Sequence, residues 1–197
     1  MPFKSIESAT KIDERTGLVR IDLSRQGIVA NDLKNLAQEI VGRHSKSPLK
    51  TLIYLINLRH NFFSLKTPNL SGLLLYLTKR DIEVERLDLA DCKMSFDIIT
   101  SFISEISPSH CKIKSINFEG NELPKTAEER GHFLLELKKN NTIEKINFGN
   151  VDELAKNDVG LASFFKEIDL ICERNIEKEL EEFEELVKEY DDSEELS

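Results

Sequence analysis

Apolar residues recur along this chain in a six-residue register, filling the first, fourth and sixth positions of each block. The blocks are Leu18-Val-Arg-Ile21-Asp-Leu23, Ile53-Tyr-Leu-Ile56-Asn-Leu58, Val84-Glu-Arg-Leu87-Asp-Leu89, Ile113-Lys-Ser-Ile116-Asn-Phe118 and Ile143-Glu-Lys-Ile146-Asn-Phe148. Successive blocks start 35, 31, 29 and 30 residues apart, a spacing that chance does not keep. Such a period marks a chain built from stacked units of one strand and one further element.

Between the blocks the apolar period changes from two to about 3.6, which predicts an amphipathic helix after each strand. The helix faces are Leu33, Leu36, Ala37 and Ile40; Leu70, Leu73, Leu74 and Leu77; Ile98, Ile99, Phe102, Ile103 and Ile106; and Phe133, Leu134 and Leu137. Asn31 or Asp32, Asn69 or Ser71, and Ser95 or Asp97 stand where N-caps belong, and Pro48 and Pro108 follow the helix ends. A strand that feeds a helix and returns to a parallel neighbour predicts an α/β fold, a short right-handed solenoid of about five parallel strands. Residues 1–17 are expected to cap it at one end. At the other, Leu161, Ala162, Phe164, Phe165, Ile168, Leu170 and Ile171 predict a helix that closes the core. The expected organisation is a cap over 1–17, the repeats over 18–172 and an acidic helix or tail over 173–197.

Three blocks continue with Asn61 and Phe63, Cys92 and Met94, and Asn121 and Leu123. With that continuation the segments resemble leucine-rich repeats of the ribonuclease-inhibitor type. The resemblance implies a horseshoe in which each Asn or Cys side chain bonds backbone groups of the turn leaving the strand. Gln26 in the first repeat and Val151 in the last depart from the pattern, so the ladder is expected to be imperfect at both ends.

Alternation within a strand leaves the third, fifth and seventh positions on the open, concave face. The third-position column reads Arg20, Leu55, Arg86, Ser115 and Lys145. The fifth reads Asp22, Asn57, Asp88, Asn117 and Asn147, and the seventh Ser24, Arg59, Ala90, Glu119 and Gly149. A polar face of mixed charge points to a protein ligand, with Arg20, Asp22, Leu55, Asn57, Arg59, Arg86, Asp88, Asn117, Glu119, Lys145 and Asn147 as the candidate contacts. The Asp/Asn column also has a purely structural reading, because the repeat favours those residues at its fifth position. Five strands about 4.8 Å apart make a sheet only about 20 Å across, near the small end of stable interfaces.

Charge divides the chain in two. Residues 173–197 carry 12 acidic and 3 basic side chains, which accounts for the whole net charge of -9 and leaves residues 1–172 neutral. The balance argues against nucleic acid, and no stretch approaches the roughly 20 apolar residues that span a bilayer. Cys92, Cys111 and Cys172 are odd in number and lack CxxC spacing, which suggests neither disulfides nor zinc and fits a reducing, cytoplasmic setting. His44, His60, His110 and His132 accompany no metalloprotease, nucleophile-elbow or phosphate-loop motif. The adjacent His110 and Cys111 point to opposite sides of an extended segment. A monomer with no catalytic centre, metal or cofactor is therefore expected. One enzyme-related alternative is a resemblance to GTPase activators built on the same repeat, in which a basic residue after a strand takes part; Arg25 and Arg59 are the matching types.

In the tail, Ile176, Leu180, Phe183, Val187 and Tyr190 are spaced 4, 3, 4 and 3 residues apart, a heptad seam. The seam either docks as a helix or stays frayed by repulsion among its glutamates. Glu181-Glu182, Glu184-Glu185 and the ending Asp191-Asp-Ser-Glu-Glu-Leu196-Ser197 resemble the C-terminal signals of effectors that intracellular bacteria inject through type IV secretion systems. That resemblance implies delivery into a host cytosol, where the concave face would engage a host protein. A eukaryotic cytosolic scaffold or adaptor is the alternative, its tail then serving as ligand for a basic surface. Finally, Leu135-Glu-Leu-Lys-Lys-Asn-Asn-Thr142-Ile-Glu-Lys-Ile-Asn resembles the helix-to-strand junctions of actin-capping proteins, over one repeat.

Overall fold

The computed structural model describes residues 6–12, 18–44, 51–63, 69–107 and 111–194. Its elements, in chain order, are α1 (Ile6–Ala9), β1 (Thr10–Ile12), β2 (Val19–Asp22), α2 (Leu33–His44), β3 (Thr51–Asn57), α3 (Asn69–Thr78), β4 (Ile82–Asp88), α4 (Phe96–Ile106), β5 (Ser115–Asn117), α5 (Ala127–Leu137), β6 (Lys145–Asn147), α6 (Val151–Leu154) and α7 (Val159–Glu194). The strands form one six-stranded sheet in the order of the sequence. Strands β2 to β6 run parallel, and β1 lies antiparallel against the outer edge of β2. The helices follow suit, with α2 on α3, α3 on α4, α4 on α5 and α5 on α7. The chain is thus an α/β protein in which each strand and helix packs on the next pair along the sequence.

The inward rows explain this order. The fourth-position residues Ile21, Ile56, Leu87, Ile116 and Ile146 are buried, as are Leu23, Leu58, Leu89, Phe118 and Phe148 at the sixth position. At the first position Ile53, Val84, Ile113 and Ile143 are buried and Leu18 is partly so. No unit can bury its own strip, so each strip is covered by its helix and by its neighbours on both sides. The predicted faces of α2 to α5 are the buried ones, except that Ile98 is only partly covered; of the stripe predicted to close the core on α7, Ala162 and Leu170 are exposed instead.

The helix starts differ in detail from the sequence reading. Helix α3 begins at Asn69, so Ser71 sits inside its first turn, buried, and donates its hydroxyl hydrogen to Glu105 rather than capping. Ser95 holds the cap position of α4, but its side chain makes no capping bond, and Asp97 lies in the first turn. A 3-10 turn over Ala30–Asp32 precedes α2, with Asp32 Oδ2 accepting from the Val29 N–H. The strongest cap is at α5. There Thr126 Oγ1 accepts from the Glu129 N–H at 3.1 Å, and Glu129 reaches back to the Thr126 N–H at 3.0 Å. Pro48 and Pro108 lie outside the described residues.

Helix α7 closes the core and then leaves it. Its buried stripe is Leu161, Phe164, Phe165, Ile168, Ile171, Cys172 and Asn175. Phe164 packs edge-on to Phe133 at 5.5 Å between ring centroids, and Phe165 lies 5.7 Å from Phe148. Polar contacts finish the closure: Arg174 Nη2 donates to the Asn140 carbonyl, and Asn175 Nδ2 to the Ile143 carbonyl, both at 2.7 Å. Those carbonyls belong to the turn before β6, which otherwise would face the end of the stack unpaired. A single helix therefore runs without a break from the closing stripe into the acidic segment.

One further tie lies beyond Asn175. Lys114 Nζ stands 2.7 Å from Glu144 Oε1 and 2.7 Å from the Glu179 carboxylate. Burial pulls the Lys114 pKa down, but its bonds to Glu144 and Glu179 together outweigh this and raise it. Glu144 is raised, first by burial and then by its hydrogen bond to Glu179 and the charge there, against the pull of Lys114. Glu179 is lowered, first by Lys114 and then by its bond with Glu144. The two carboxyls therefore act oppositely on stability. The raised Glu144 favours the folded state fully below its ordinary value of 4.5, and that contribution is lost as pH rises through the raised value. The lowered Glu179 contributes above 4.5 and loses its contribution as pH falls through the depressed value. Glu144→Gln is accordingly expected to raise the denaturation midpoint at neutral pH, with the gain shrinking toward pH 4.5; Glu179→Gln is expected to lower it at neutral pH, with the loss fading in acid. Denaturant titrations across that range check both signs.

Candidate functional site

The sheet brings the third-position residues into one row. Arg20 pairs with Leu55, Leu55 with Arg86, Arg86 with Ser115 and Ser115 with Lys145. Strand β1 extends the row, because Lys11 pairs with Arg20 and paired residues share a face. The helices cover the opposite face, and among the described residues no helix covers this one.

Tyr54, a second-position residue absent from the predicted contacts, joins the row through a register shift. Val19 pairs with Ile53 while the next residue, Arg20, pairs with Leu55, so Tyr54 is the extra residue of a bulge on β3. A bulge of this kind re-aims a side chain. The Tyr54 ring lies between two guanidinium groups, with Arg20 Cζ 5.1 Å and Arg86 Cζ 4.6 Å from its centroid. Each cation–π contact at an exposed site contributes about 0.5–1 kcal/mol, enough to hold the arginines side-on to the ring. Arg86 also meets Glu85, its own neighbour, at 3.4 Å. Lys11, Arg20 and Lys145 are exposed and make no ion pair among the described residues. The signal that would have found Tyr54 is the alignment itself: an aromatic stands beside a column whose flanking repeats both carry arginine.

The fifth-position row is also in register, from Asp22 through Asn57, Asp88 and Asn117 to Asn147. Each oxygen accepts the N–H two residues on, in Ser24, Arg59, Ala90, Glu119 and Gly149, at 2.9–3.1 Å. The amides then link across strands: Asn57 Nδ2 donates to Asp22, Asn117 Nδ2 to Asp88 and Asn147 Nδ2 to Asn117. Asp88 has no hydrogen to pass to Asn57, so the chain of bonds divides there. This row holds the strand ends together and spends much of its bonding capacity doing so.

Past the strands, Arg59 and Glu119 come together. Arg59 donates through Nε and Nη2 to Asp91 Oδ2 at 3.2 and 3.1 Å, and its Nη2 lies 3.7 Å from Glu119 Oε2. His60 Nδ1 approaches the same Asp91 oxygen at 3.5 Å, while Arg25 Nη2 lies 3.4 Å from His60 Nε2. Arg25, His60 and Asp91 occupy one repeat position and share a left-handed backbone, with φ of 57, 59 and 54°. Gly120 follows them at φ 73°, and there a Cβ would fall 2.1 Å from Asp91 Oδ1. Only glycine leaves room for the carboxylate that holds Arg59. Arg25 and Arg59, the two residues matched to GTPase activators, thus flank one cluster; Arg59 is engaged by two carboxylates.

Beneath these loops runs the expected side-chain ladder. Asn61 Nδ2 donates to the Leu23 and Leu58 carbonyls at 2.9 and 2.7 Å, and its Oδ1 accepts from Gln26 and Ile28 at 3.2 and 2.9 Å. Asn121 repeats the pattern on Leu89, Phe118, Cys92 and Met94. Cys92 takes the same place between them, its thiol donating to the Leu58 carbonyl at 3.2 Å. Burial pushes the Cys92 and Cys172 thiols up to about 12 and about 11, and raises Cys111 also, so these sulfurs stay protonated at neutral pH. His110 and the side chain of His44 lie outside the described residues. Among the described residues no cluster of His, Cys, Asp and Glu has the arrangement of a metal site, and no helix is long and apolar enough to cross a membrane.

The tail candidates Glu181, Glu182, Glu184 and Glu185 are exposed on α7. Leu196 lies outside the described residues.

Fold and face together define an α/β protein whose sequentially paired, mostly parallel sheet is open on one side and edged there by cations. No family model matches the sequence, and no curated protein is significantly similar to it. Eleven chains of solved structure match it. One, described as Leiomodin-1 Actin-Binding Site 2 (ABS2), superposes with a TM-score of 0.59 at 10% identity, over 87% of this chain and 88% of that one. At that identity the likeness is one of fold.

The ladder predicts a specific sensitivity. Asn61→Ala or Asn121→Ala leaves four backbone groups without their partner; the change at the fully buried Asn61 is expected to cost roughly 3 kcal/mol and that at the half-buried Asn121 less, given about 1–3 kcal/mol for a buried group left unsatisfied and some rescue by water. Denaturant unfolding measures it; a loss below about 0.5 kcal/mol would show that the loops hold themselves.

Proposed function

We propose that this chain is a leucine-rich-repeat solenoid of the ribonuclease-inhibitor type that binds a protein ligand on its uncovered sheet face and performs no chemistry on it. The observation that carries the reading is the row of exposed cations Lys11, Arg20, Arg86 and Lys145, with the half-buried Tyr54 ring against both arginines, on a chain whose acidic excess lies wholly in residues 173–197. Arg20 and Arg86, already held against Tyr54, lose less freedom when a ligand arrives than free side chains would, and the Tyr54 ring adds an apolar centre of the kind that dominates interface energy. The Asp/Asn row contributes less in this reading, because its oxygens are already occupied. The tail supplies the second half: its glutamate blocks support delivery as a translocated effector, with a host protein as the ligand.

Affinity capture from host-cell extract with wild-type chain, an Arg20→Ala/Arg86→Ala variant and a chain ending at Asn175 separates the parts. The partner held by wild type should drop at least about tenfold with the double variant and persist with the truncated chain. Equal capture by the double variant would remove the face from the proposal. In a translocation reporter the truncated chain, which keeps the Arg174 and Asn175 closure, should not be delivered; undiminished delivery would refute the effector half.

A second reading is favoured by the fold likeness to an actin-binding site of leiomodin-1 together with the actin-capping-like junction at Leu135–Asn147. Here the ligand is actin. Co-sedimentation with filaments and the assembly kinetics of labelled monomer decide it, since neither changes at micromolar chain concentrations unless actin is bound.

A further inference from the structure

Helix α7 carries an apolar stripe longer than the core it closes. From the buried Phe165 and Cys172 the stripe continues at spacings of 4, 4 and 3 to Ile176, Leu180 and Phe183. Along it the exposure climbs from 6% and 5% to 40, 58 and 64%. The last ties to the body are Asn175 on the Ile143 carbonyl and Glu179 on Lys114. Beyond them the stripe faces solvent, and the backbone remains helical to Glu194 with the heptad spacing kept in sequence at Val187 and Tyr190.

The flanks select the partner. Side chains at i, i+4, i+8 and i+11 from Glu173 lie along one side of the stripe: Glu173, Glu177, Glu181 and Glu184. All four are exposed and none forms an ion pair among the described residues. The other flank begins with Glu179, held by Lys114. A second copy of the chain would bring glutamate against glutamate on these flanks, which opposes pairing. A helix with lysine or arginine beside its own apolar seam would instead cover the leucine and phenylalanine and neutralise the free acids together.

We infer that the projecting half of α7 is a docking seam for a basic amphipathic helix of a partner, centred on Leu180 and Phe183 and flanked by Glu177 and Glu184. The seam extends the interface by which the same helix closes its own core, and it is separate from the open sheet face.

Three synthetic 21-residue peptides test this against the full-length chain by fluorescence anisotropy: one with isoleucine and leucine on a heptad seam and lysine on its flanks, one with glutamate on those flanks, and one with the lysine peptide's composition scrambled. The lysine-flanked heptad peptide is expected to bind in the micromolar range (Kd of order ~10 μM or tighter) and the other two at least about tenfold more weakly. Leu180→Ala/Phe183→Ala should weaken it about tenfold or more with an unchanged melting curve, because both residues lie outside the core. Glu177→Gln/Glu184→Gln should weaken it and flatten its salt dependence. Arg20→Ala/Arg86→Ala should leave it unaltered, which keeps this test independent of the sheet face. Equal binding of the scrambled peptide, or full binding by the Leu180/Phe183 variant, overturns the seam. A dimer in sedimentation equilibrium that this same variant abolishes assigns the seam to a second copy and overturns the basic partner.

Discussion

Every strand in this fold must end, and its chain must turn out of the sheet above a buried core, where backbone N–H and carbonyl groups have no water to bond. Asn61, Cys92 and Asn121 answer that constraint. An asparagine carries both donors and acceptors on one short, planar group, so one buried side chain can serve its own strand end and the preceding loop at once. Each such residue therefore fixes the position of one unit against the next. With the loops fixed, the strands cannot slip, since a slip of one residue would turn every inward aliphatic outward. The register of the exposed rows is a consequence of that buried bonding, and so is the alignment of Arg20 and Arg86 on either side of Tyr54.

The Asp/Asn row, exposed at Asp22 and half-buried elsewhere, shows how the same chemistry is used nearer to water. Asparagine both accepts the turn N–H and donates to the neighbouring strand, whereas aspartate only accepts. A run of cross-strand bonds can then start at an aspartate and extend through asparagines, but it cannot pass through an aspartate. The observed runs, Asn57 to Asp22 and Asn147 through Asn117 to Asp88, follow that rule. Partial exposure makes each link weaker than the fully buried bonds of Asn61, because water competes for the same groups. Buried Asn61 and half-buried Asn121 therefore set the register, and the Asp/Asn row reinforces it.

Much of this was legible in the sequence because burial on one face imposes a period. The inward positions of all five blocks, the helix faces and the closing stripe of α7 are strong hydrophobic signals repeated at fixed spacing, and tertiary packing reinforces each of them. What the periodicity does not carry is local detail. Ser71 looks like a cap, but its helix starts two residues earlier and its hydroxyl is spent on Glu105. The Thr126-Ala-Glu-Glu129 capping box was readable from residue spacing alone, yet it lies outside the apolar pattern that organised the reading. Tyr54 needed the register shift on β3, which no pattern of apolar residues announces. The Arg59–Asp91 pair depends on a left-handed residue in one loop and a missing Cβ in the next, a conjunction set by two different repeats.

The division of charge noted in the sequence takes a more particular form in three dimensions. Lys114, one residue before Ser115 of the cation row, is the point at which the acidic helix is tied down. Glu179 is thereby held at β5, between the strands of Arg86 and Lys145 and three or more strands from Arg20 and Lys11. The row spans roughly 24 Å across its strands, whereas exposed charges are screened over about 8 Å at physiological salt. The helix therefore cannot neutralise the whole row; it shades one end of it. In the proposed binding mode an acidic ligand segment would meet the cations of β1, β2 and β4, where Tyr54 also offers an apolar surface. The proposed basic partner would instead be drawn to the far side of Lys114, along α7. The fold thus carries a cation row on the sheet and an acidic helix beyond it, and the neutral sum over residues 1–172 conceals the first of these.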